Sequence, residues 1–595
     1  MIYIAPVTEQ RFALETSARL FDLARLNGFE AVEDDLVDAI LNESGKLAGE
    51  VWAPLNWPGD QQGATLQNCV VTLPEGFRAG YQDYVEGGWG SLGADPDYGG
   101  QGLPFALATA CQEQLTSANM AFSLCPMLTL GAIEALQAHA SEDIKQTYLT
   151  KLISGEWTGT MNLTEPQAGS DVGALRTTAT PADDGTWRIK GQKIYITWGE
   201  HDVADNIVHL VLARTPDAPA GTKGISLFVV PKFLPNDAGE FTVRNDLRCV
   251  GLEEKLGIHA SPTCTMSFGD NDSCVGFMVG AEMAGMRAMF TMMNHARINV
   301  GVQGVAIAER AYQAALSYAK ERVQSAKIGS PNRDPVAIVE HADVRRNLMT
   351  MRAYTEAMRA LAYANAAAVD RAHALEAGTE EQRAAQGRAD LLTPITKAWC
   401  TDMGVEMASI GVQVHGGMGF VEETGAAQHY RDARIAPIYE GTNGIQALDL
   451  VGRKLNMGGG SAWRALVADM RSVLNGLPTS ADFRALRPAA AAAVDAFEDG
   501  AKWLTGEASN ANDPAAGAQP FCRLAGITVG AVLLAEQAAE AASRLGTDGA
   551  DEAFLRAKIA TARFFAEQVA PQAPALIPAV KAGQAALYEI PVEAL

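Results

Sequence analysis

The stretch Leu163-Thr-Glu-Pro-Gln-Ala-Gly-Ser-Asp171 marks the point where the character of the chain changes. Before it, residues 10–160 show mainly helical periodicity, interrupted by a Gly/Pro/Asp-rich loop. After it, up to about residue 280, short runs rich in Val, Ile, Phe and Thr are typical of strands. Beyond Met283 the helical period returns. The sequence therefore predicts a multidomain α+β protein.

Four domains are expected: an N-terminal helical domain (1–160), a central small β-barrel domain (161–280), a helical bundle (281–456) and an additional C-terminal helical domain (462–595). Long helical patterns are predicted at 288–324, 341–376, 394–413 and 443–455, and their short connections favour an antiparallel bundle. Thr186–Lys190 and Lys193–Thr197 are interpreted as a hairpin around Gly191-Gln192. Glycines 458–460 indicate a flexible break, and the stripe Leu555, Ile559 and Phe565 indicates core.

Composition and charge exclude several classes of protein. Of the 595 residues, 48% are hydrophobic and 20% are charged, as in ordinary globular proteins. A net charge of −23 argues against a nucleic-acid partner, because phosphates are met by clustered Lys and Arg. The eight cysteines show neither a CxxC pair nor metal-ligand spacing, so they are interpreted as reduced thiols, with no metal site. No signal peptide or run of 18 apolar residues is evident, which predicts a cytoplasmic protein without a membrane segment.

The common nucleotide and hydrolase motifs are absent or out of context. Gly88-Trp-Gly-Ser-Leu-Gly93 has the letters of a GxGxxG dinucleotide motif, but loop-like sequence lies on both sides instead of a strand and a helix. GxSxG, HExxH and P-loop motifs do not occur.

A second informative stretch is Pro437-Ile-Tyr-Glu-Gly-Thr-Asn-Gly-Ile-Gln446. It places one carboxylate, Glu440, beside a glycine just before a predicted helix, in apolar surroundings that suit a general base. Asn443 and Gln446 have the spacing of a capping box. An exposed loop glutamate near a helix dipole explains this segment, taken alone, equally well.

Three further motifs allow both a binding and a structural interpretation. Thr164 and Ser170 could form a polar cradle for a cofactor, or simply belong to a turn that links domains. Tyr195 and Thr197 share one face of a strand, where they could contact a flat ring or line an ordinary sheet. The run His415-Gly-Gly-Met-Gly419 has more glycine than a helix C-cap needs, which favours close approach to a ligand, with His415 as a structural residue.

Taken together, these motifs resemble the acyl-CoA dehydrogenase family over about residues 85–455. The matching pieces occur in the family's order: Pro96-Asp-Tyr-Gly-Gly-Gln-Gly102, the 163–171 stretch, Gly191-Gln-Lys-Ile-Tyr-Ile-Thr197, Glu321-Arg322, Gln413 to Gly419 and Tyr439-Glu-Gly-Thr442. The patch at Tyr3, the stretches 257–264 and 292–297 and the C-terminal domain are similar to a long-form subgroup.

The resemblance implies FAD as the cofactor, held between the β domain and the bundle. Glu440 would remove the pro-R α-proton of an acyl-CoA thioester, and the β-hydrogen would leave as hydride, giving a trans-2-enoyl-CoA. In the family the thioester oxygen is stabilised by the N–H of the base residue and a ribityl hydroxyl. Electron-transferring flavoprotein is the implied acceptor. The subgroup implies 3-methylmercaptopropionyl-CoA, and with it dimethylsulfoniopropionate degradation, or another short- or medium-chain acyl-CoA.

The family's site residues map onto this sequence position by position. Matches to the flavin ring are Met161, Leu163, Thr164, Tyr195 and Thr197. Matches to the rest of FAD are Arg322, Gln324, Gln413, Gly417, Thr442 and Asn443. Of these, Arg322 and residues 413–417 would reach the FAD of a partner subunit. Thr442 and Asn443 lie at a predicted helix start. Matches to substrate contacts are Ser170, Asn294, Arg297 and Gly441. Some members take the base from the position of Ala296, which cannot act, so Glu440 remains.

The same resemblance leaves two alternative functions open and also predicts an oligomeric state. An acyl-CoA oxidase of this fold would pass electrons to O₂. A DNA-binding long-form relative would use a basic C-terminal domain, whereas residues 461–595 here carry more acidic than basic side chains. The C-terminal domain is expected to replace one dimer contact of tetrameric relatives, which predicts a homodimer.

Overall fold

The computed structural model describes residues 2–508, 510 and 512–595. The chain begins with helices and one small hairpin: α1 (Val7–Thr16), α2 (Leu20–Leu23), α3 (Asp34–Lys46), α4 (Ala53–Gln62), β1 (Thr65–Gln67), β2 (Val70–Thr72), α5 (Phe77–Glu86), α6 (Phe105–Ala118), α7 (Met120–His139) and α8 (Glu142–Ile153). Most side chains of α6 and α7 are buried, so these two helices form the centre of this part of the molecule.

The strands that follow are β3 (Trp157–Asn162), β4 (Thr178–Pro181), β5 (Trp187–Thr197), β6 (Asn206–Arg214), β7 (Ile225–Pro231), β8 (Phe233–Pro235), β9 (Phe241–Arg244), β10 (Leu247–Leu252), β11 (Thr263–Phe268) and β12 (Val275–Val279). Five of them close into a ring, because β4 pairs with both β5 and β6, and β7 and β12 complete the circle. β3 pairs in parallel with β6, and β11 and β10 continue from β5. The predicted small β-barrel is confirmed.

The hairpin predicted around Gly191-Gln192 is wrong, since β5 runs without interruption through both residues. Gly191 marks the point where β5 exchanges β4 and β12 for β11 as its neighbour. A Cβ at Gly191 would lie 2.4 Å from the hydroxyl oxygen of Thr177. Glycine is therefore required here for the close passage of two backbones, and not for a turn.

The expected helical bundle is present. Its helices are α9 (Gly285–Glu321), α10 (Ala342–Ala374), α11 (Glu380–His415), α12 (Ala426–Ala433) and α13 (Asn443–Asp449). The predicted start of the third long helix near Pro394 is wrong, because α11 begins at Glu380. The hydroxyl of Thr379 caps it by accepting the N–H of Gln382 at 3.2 Å, and Pro394 is accommodated inside the helix.

Two bundle helices approach each other unusually closely at Gly304. A Cβ on Gly304 of α9 would lie 2.1 Å from the carbonyl oxygen of Cys400 of α11, so only glycine permits this approach. Tyr318 and His415, near the ends of the same two helices, stack at 4.6 Å between ring centroids. The helices α9 and α11 therefore run side by side in the same direction.

The C-terminal helices are α14 (Ser461–Gly476), α15 (Leu486–Lys502), α16 (Asn512–Arg544), α17 (Glu552–Gln568), α18 (Gln572–Ala575) and α19 (Ile577–Lys581). They pack on the bundle, with α16 against α10, α11 and α13. The buried Lys558 donates to Glu356 of α10 at 2.7 Å and to Glu9 of α1 at 3.0 Å, which joins both ends of the chain to the bundle. Leu555, Ile559 and Phe565 are buried, as predicted.

Two helices, α7 and α16, are long and apolar enough to pass a length-and-composition test for membrane spans. Within the most apolar window of each, 83% of α7 and 78% of α16 is buried inside the protein. Core helices of this kind pass the same test, so the two helices are weak evidence for a membrane segment.

Candidate functional site

Glu440 lies in the loop between α12 and α13, in a backbone conformation that is rare for its residue type. Its φ is 56°, and that of Gly441 is 84°. A side chain with a Cβ costs about 1–2 kcal/mol in this left-handed region, whereas glycine does not. Such strain persists only where the surrounding structure holds it in place.

Three hydrogen bonds between the loop and residues outside it supply that restraint. The hydroxyl of Tyr439 donates to the side-chain oxygen of Gln303 on α9. The amide of Gln446 donates to the carbonyl oxygen of Glu440 at 3.3 Å. The ammonium of Lys397 on α11 donates to the carbonyl oxygen of Gly441 at 2.8 Å.

The predicted capping box of Asn443 and Gln446 is wrong. Thr442, not Asn443, is the N-cap of α13, and its hydroxyl accepts the N–H of Ile445 at 3.2 Å. The buried side chain of Asn443 points into the protein instead, where it accepts from Lys397 at 2.9 Å and donates to Asp402 at 2.6 Å. The side chain of Asn443 therefore helps to hold the loop. A direct contact of Asn443 with FAD stays a prediction.

The carboxyl group of Glu440 is electrostatically matched to the role of a base near neutral pH. Burial raises its pKa to about 7, although the nearby cations Arg297 and Lys397 act in the opposite direction. Burial lowers the pKa of Lys397 to about 7. A general base works best when its pKa lies close to the working pH.

Arg297 is a buried cation at this site. Only 6% of the residue is exposed, and its Nε has no hydrogen-bond partner in the described part of the chain. Its guanidinium is next to the loop, because a Cβ added to Gly441 would lie 3.9 Å from its Nη2. Burial lowers the pKa of Arg297. Its unpartnered Nε is a buried donor that a ligand could satisfy. Ala296 beside it is buried, and Asn294 is half-buried.

The residues predicted to face the flavin share one region of the barrel. The carbonyl oxygen of Thr164 accepts the N–H of Ile194 at 2.9 Å, which joins the end of β3 to β5. Leu163 is buried, and Met161 packs against the same apolar cluster, which includes Met292 of α9. This surface therefore borders the part of α9 that leads to Arg297.

Tyr195 and Thr197 lie on the β5 side of that surface. Tyr195 is 60% exposed and has a φ of 59°, so its ring is held out from the sheet by an unusual backbone. Thr197 is half-buried and pairs with Thr263 of β11. Ser170 is exposed in the loop after β3.

A second group of predicted residues lies far from Glu440. Arg297 and Arg322 are 25 positions apart at about 1.5 Å per residue, which puts them roughly 37 Å apart along α9. Arg322 and Gln324 follow the end of α9, while Gln413 and Gly417 are at the end of α11, and all four are exposed. The stacking of Tyr318 and His415 brings the ends of α9 and α11 together, and with them this second group, away from Glu440.

Sequence reasoning missed the residues that hold the loop of Glu440, above all Lys397, Asp402 and Gln303. Lys397 had a recognisable signal, since it is the one charged side chain in the run Pro394-Ile-Thr-Lys-Ala-Trp-Cys400. A lysine buried in apolar company requires a partner and is a candidate functional residue.

Models of known families match most of the chain. The acyl-CoA dehydrogenase N-terminal, middle and C-terminal domain models match residues 73–156, 160–271 and 283–455. A further model, described as acetyl-CoA dehydrogenase C-terminal like, matches residues 466–591.

The chain is also similar to individual proteins, one in sequence and two in fold. The 3-methylmercaptopropionyl-CoA dehydrogenase of Ruegeria pomeroyi is 50% identical over 573 residues, which cover 96% of each protein. The structure of ACDH-11 of Caenorhabditis elegans in complex with C11-CoA has a TM-score of 0.78 at 20% identity, over 99% of this chain and 96% of that one. An acyl-CoA dehydrogenase of Bacillus anthracis complexed with FAD has a TM-score of 0.73 at 20% identity, over 94% and 90%.

The fold, the four matching models and the identity over nearly the full length of a relative lead to one assignment. The chain belongs to the acyl-CoA dehydrogenase family of FAD-dependent oxidoreductases.

Proposed function

We propose that this chain converts an acyl-CoA to a trans-2-enoyl-CoA, with Glu440 as the base that removes the α-proton. The observation that carries the proposal is the position of Glu440, whose pKa is raised to about 7, near the buried Arg297, whose Nε has no hydrogen-bond partner among the described residues. At neutral pH a substantial fraction of such a carboxyl group is ionised, and it is a stronger base than an ordinary glutamate.

The thioester needs a hydrogen-bond donor while its α-carbon loses a proton, because negative charge develops on its oxygen. The backbone N–H of Glu440 makes no hydrogen bond to any residue that the structure describes. This donor is available for the thioester oxygen, and the left-handed φ of Glu440 fixes its direction. The restraint by Tyr439 and Lys397 keeps donor and carboxylate in one rigid arrangement.

The residues present fit FAD as the resident cofactor. The exposed ring of Tyr195 and the neighbouring Met161 and Thr197 offer a surface for a flat ring. At the other end of the bundle, a Cβ added to Gly416 or Gly417 would meet no other atom, which leaves an open cradle. When bound, FAD supplies a hydride acceptor for the β-hydrogen of the substrate.

As substrate we propose 3-methylmercaptopropionyl-CoA, which would give the enzyme a role in dimethylsulfoniopropionate degradation. The support is the 50% identity to a relative of that name across 96% of both proteins. The test is a panel of short-, medium- and long-chain acyl-CoAs, with 3-methylmercaptopropionyl-CoA among them and an artificial electron acceptor. A clearly higher kcat/KM for a straight-chain acyl-CoA would replace this substrate while leaving the reaction class intact.

The proposed electron acceptor is electron-transferring flavoprotein. The alternative, an acyl-CoA oxidase, differs in how quickly the substrate-reduced enzyme reacts with O₂. Stopped-flow mixing of that reduced enzyme with air-saturated buffer separates the two. Slow reoxidation supports the dehydrogenase, and fast reoxidation with peroxide formation would make the enzyme an oxidase.

We also propose a cytoplasmic homodimer without nucleic-acid or membrane partners. Exposed apolar side chains near the second group of cofactor residues, including Phe420 (88% exposed) and Met418 (49%), suit a contact with a second copy. Such a contact would bring Arg322 of one copy to the FAD of the other. Light scattering should give a dimer mass, and a gel shift at low salt should show no tight DNA binding.

A further inference from the structure

The C-terminal helix α16 is connected to the loop of Glu440 by an unbroken series of hydrogen bonds. Gln519 of α16 donates to Oδ2 of Asp402 on α11 at 3.1 Å. The other carboxylate oxygen of Asp402 accepts from the amide of Asn443 at 2.6 Å. Both oxygens of this carboxylate are therefore occupied, one by the C-terminal helix and one by the first residue of α13.

The series continues from Asn443 to the backbone beside the base. Lys397 donates to the side-chain oxygen of Asn443 at 2.9 Å and to the carbonyl oxygen of Gly441 at 2.8 Å. Asn443 is 6% exposed and Lys397 is fully buried, so water does not compete for these bonds. Gly441 directly follows Glu440, and its carbonyl belongs to the loop that sets the left-handed conformation.

The loop has a physical need for this support. Helix α13 has seven α-helical residues and continues into one π-helical turn at Leu450–Lys454, a length that is marginal for a helix by itself. It packs on α16, so the C-terminal helix also provides part of its apolar surroundings. The base therefore lies on an element that depends on the C-terminal helices for both packing and hydrogen bonding.

We propose that the C-terminal helical region completes the active site: Gln519, Asp402, Asn443 and Lys397 act as positioning residues that hold Gly441, and thereby Glu440, in the catalytic conformation. This inference rests on the proposed function, because it assigns the held residue the role of base. It gives the C-terminal region a task in catalysis besides its packing on the bundle.

The test uses Gln519→Met in the full-length flavoprotein, because Gln519 is exposed and its replacement leaves the core untouched. We expect faster amide hydrogen exchange in peptides that cover residues 437–446, measured by mass spectrometry. We expect kcat with the best acyl-CoA to fall about fivefold, the loss equivalent to one ordinary hydrogen bond, with KM nearly unchanged. Gln519→Lys restores a donor to Asp402 and should recover both properties.

Glu406→Gln is the matched control. Arg523 of α16 contacts Glu406 of α11 at 3.4 Å, one helical turn beyond the Gln519–Asp402 bond, in the same interface but without a connection to the loop. This variant should match the wild type in exchange at 437–446 and in kcat. Asp402→Leu removes both acceptor oxygens, breaks the series at its centre and should have a larger effect than Gln519→Met.

The outcomes separate this inference from the function on which it rests. Unchanged exchange at 437–446 and unchanged kcat in Gln519→Met would overturn the inference. Equal effects of Gln519→Met and Glu406→Gln would also overturn it, since they would indicate a general loosening of the interface. If the wild type turned over no acyl-CoA while Gln519→Met still raised exchange at 437–446 alone, the proposed function would fail and the mechanical connection would stand.

Discussion

The ammonium group of Lys397 lies 2.8 Å from the carbonyl oxygen of Gly441, the residue next to Glu440. The buried Lys397 thus contacts the backbone of the loop that carries Glu440 and also lowers the pKa of the Glu440 carboxyl group. Burial moves the pKa of Lys397 down to about 7 and that of Glu440 up to about 7. The activity should therefore be sensitive to pH in the neutral range.

The first prediction concerns the pH profile of the wild type. Glu440 acts as a base only when ionised, and burial raises its pKa to about 7. The kcat/KM for an acyl-CoA should therefore rise with pH, about tenfold per unit below neutrality, and level off above pH 7. Steady-state measurements from about pH 5.5 to 8.5 give this profile. A profile that stays flat over this range, as an ordinary glutamate with a pKa of 4.5 would give, would mean that burial does not tune the base.

The second prediction is that Lys397→Met moves the acidic limb of that profile to higher pH. Lys397 lowers the pKa of Glu440, so removal of the cation makes the carboxyl group harder to ionise. Lys454→Met is the control, because Lys454 is also buried but pairs with Asp390 at 2.7 Å, away from the base. A limb that stays in place, or moves to lower pH, in Lys397→Met would contradict the electrostatic account.

The sequence was a good guide to the fold because periodicity and glycine placement are local signals. The change at 163–171 located the main block of strands, although β3 and the small hairpin of β1 and β2 lie before it. The hairpin at Gly191 failed because a glycine needed for tertiary packing against Thr177 has the same letter as one needed for a turn. The start of α11 was missed because its N-terminal turns are polar and exposed, without an apolar stripe.

The site residues that belong to a recognisable motif were predictable from the sequence. The residues that hold them in place were not, because they come from distant parts of the chain. Glu440 and Arg297 were found by resemblance, and the structure brings them together. The network of Lys397 and Asp402 joins positions separated by about 40 residues in the sequence, which no local pattern reveals. Asn443 was taken for a cap because its spacing fits, although its side chain is occupied by these buried partners.

The third prediction tests the backbone conformation beside the base. In Gly441→Ala, a side chain must adopt a φ of 84°, at a cost of about 1–2 kcal/mol. The new Cβ would also lie 2.6 Å from the amide nitrogen of Gln446 and displace a group that holds Glu440. We expect a lower Tm and a kcat reduced about 10- to 100-fold. Gly452→Ala, where a Cβ meets no atom, should leave both near the wild-type values, and equal behaviour of the two variants would contradict this account.

The fourth prediction concerns the cofactor surface. Tyr195→Ala removes an exposed ring but keeps the same backbone strain, because both residues carry a Cβ. FAD binding to the apoprotein, measured by calorimetry, should weaken by about 0.5–1.5 kcal/mol, and Tyr195→Trp should restore it. Tyr588→Ala removes a comparably exposed ring near the C-terminus and should change nothing. Undiminished FAD affinity in Tyr195→Ala would remove Tyr195 from the cofactor site.

The most direct test of the central claim is anaerobic reduction of the Glu440→Gln flavoprotein by the best acyl-CoA of the panel. Glutamine keeps the size and the backbone N–H of the residue but cannot accept the proton. The variant should keep its yellow flavin, and bleaching should slow by about 10²- to 10⁴-fold, the usual contribution of a general base. Glu422→Gln, which removes an exposed acid of the same bundle, should bleach like the wild type. Bleaching of Glu440→Gln at the wild-type rate would show that another residue is the base.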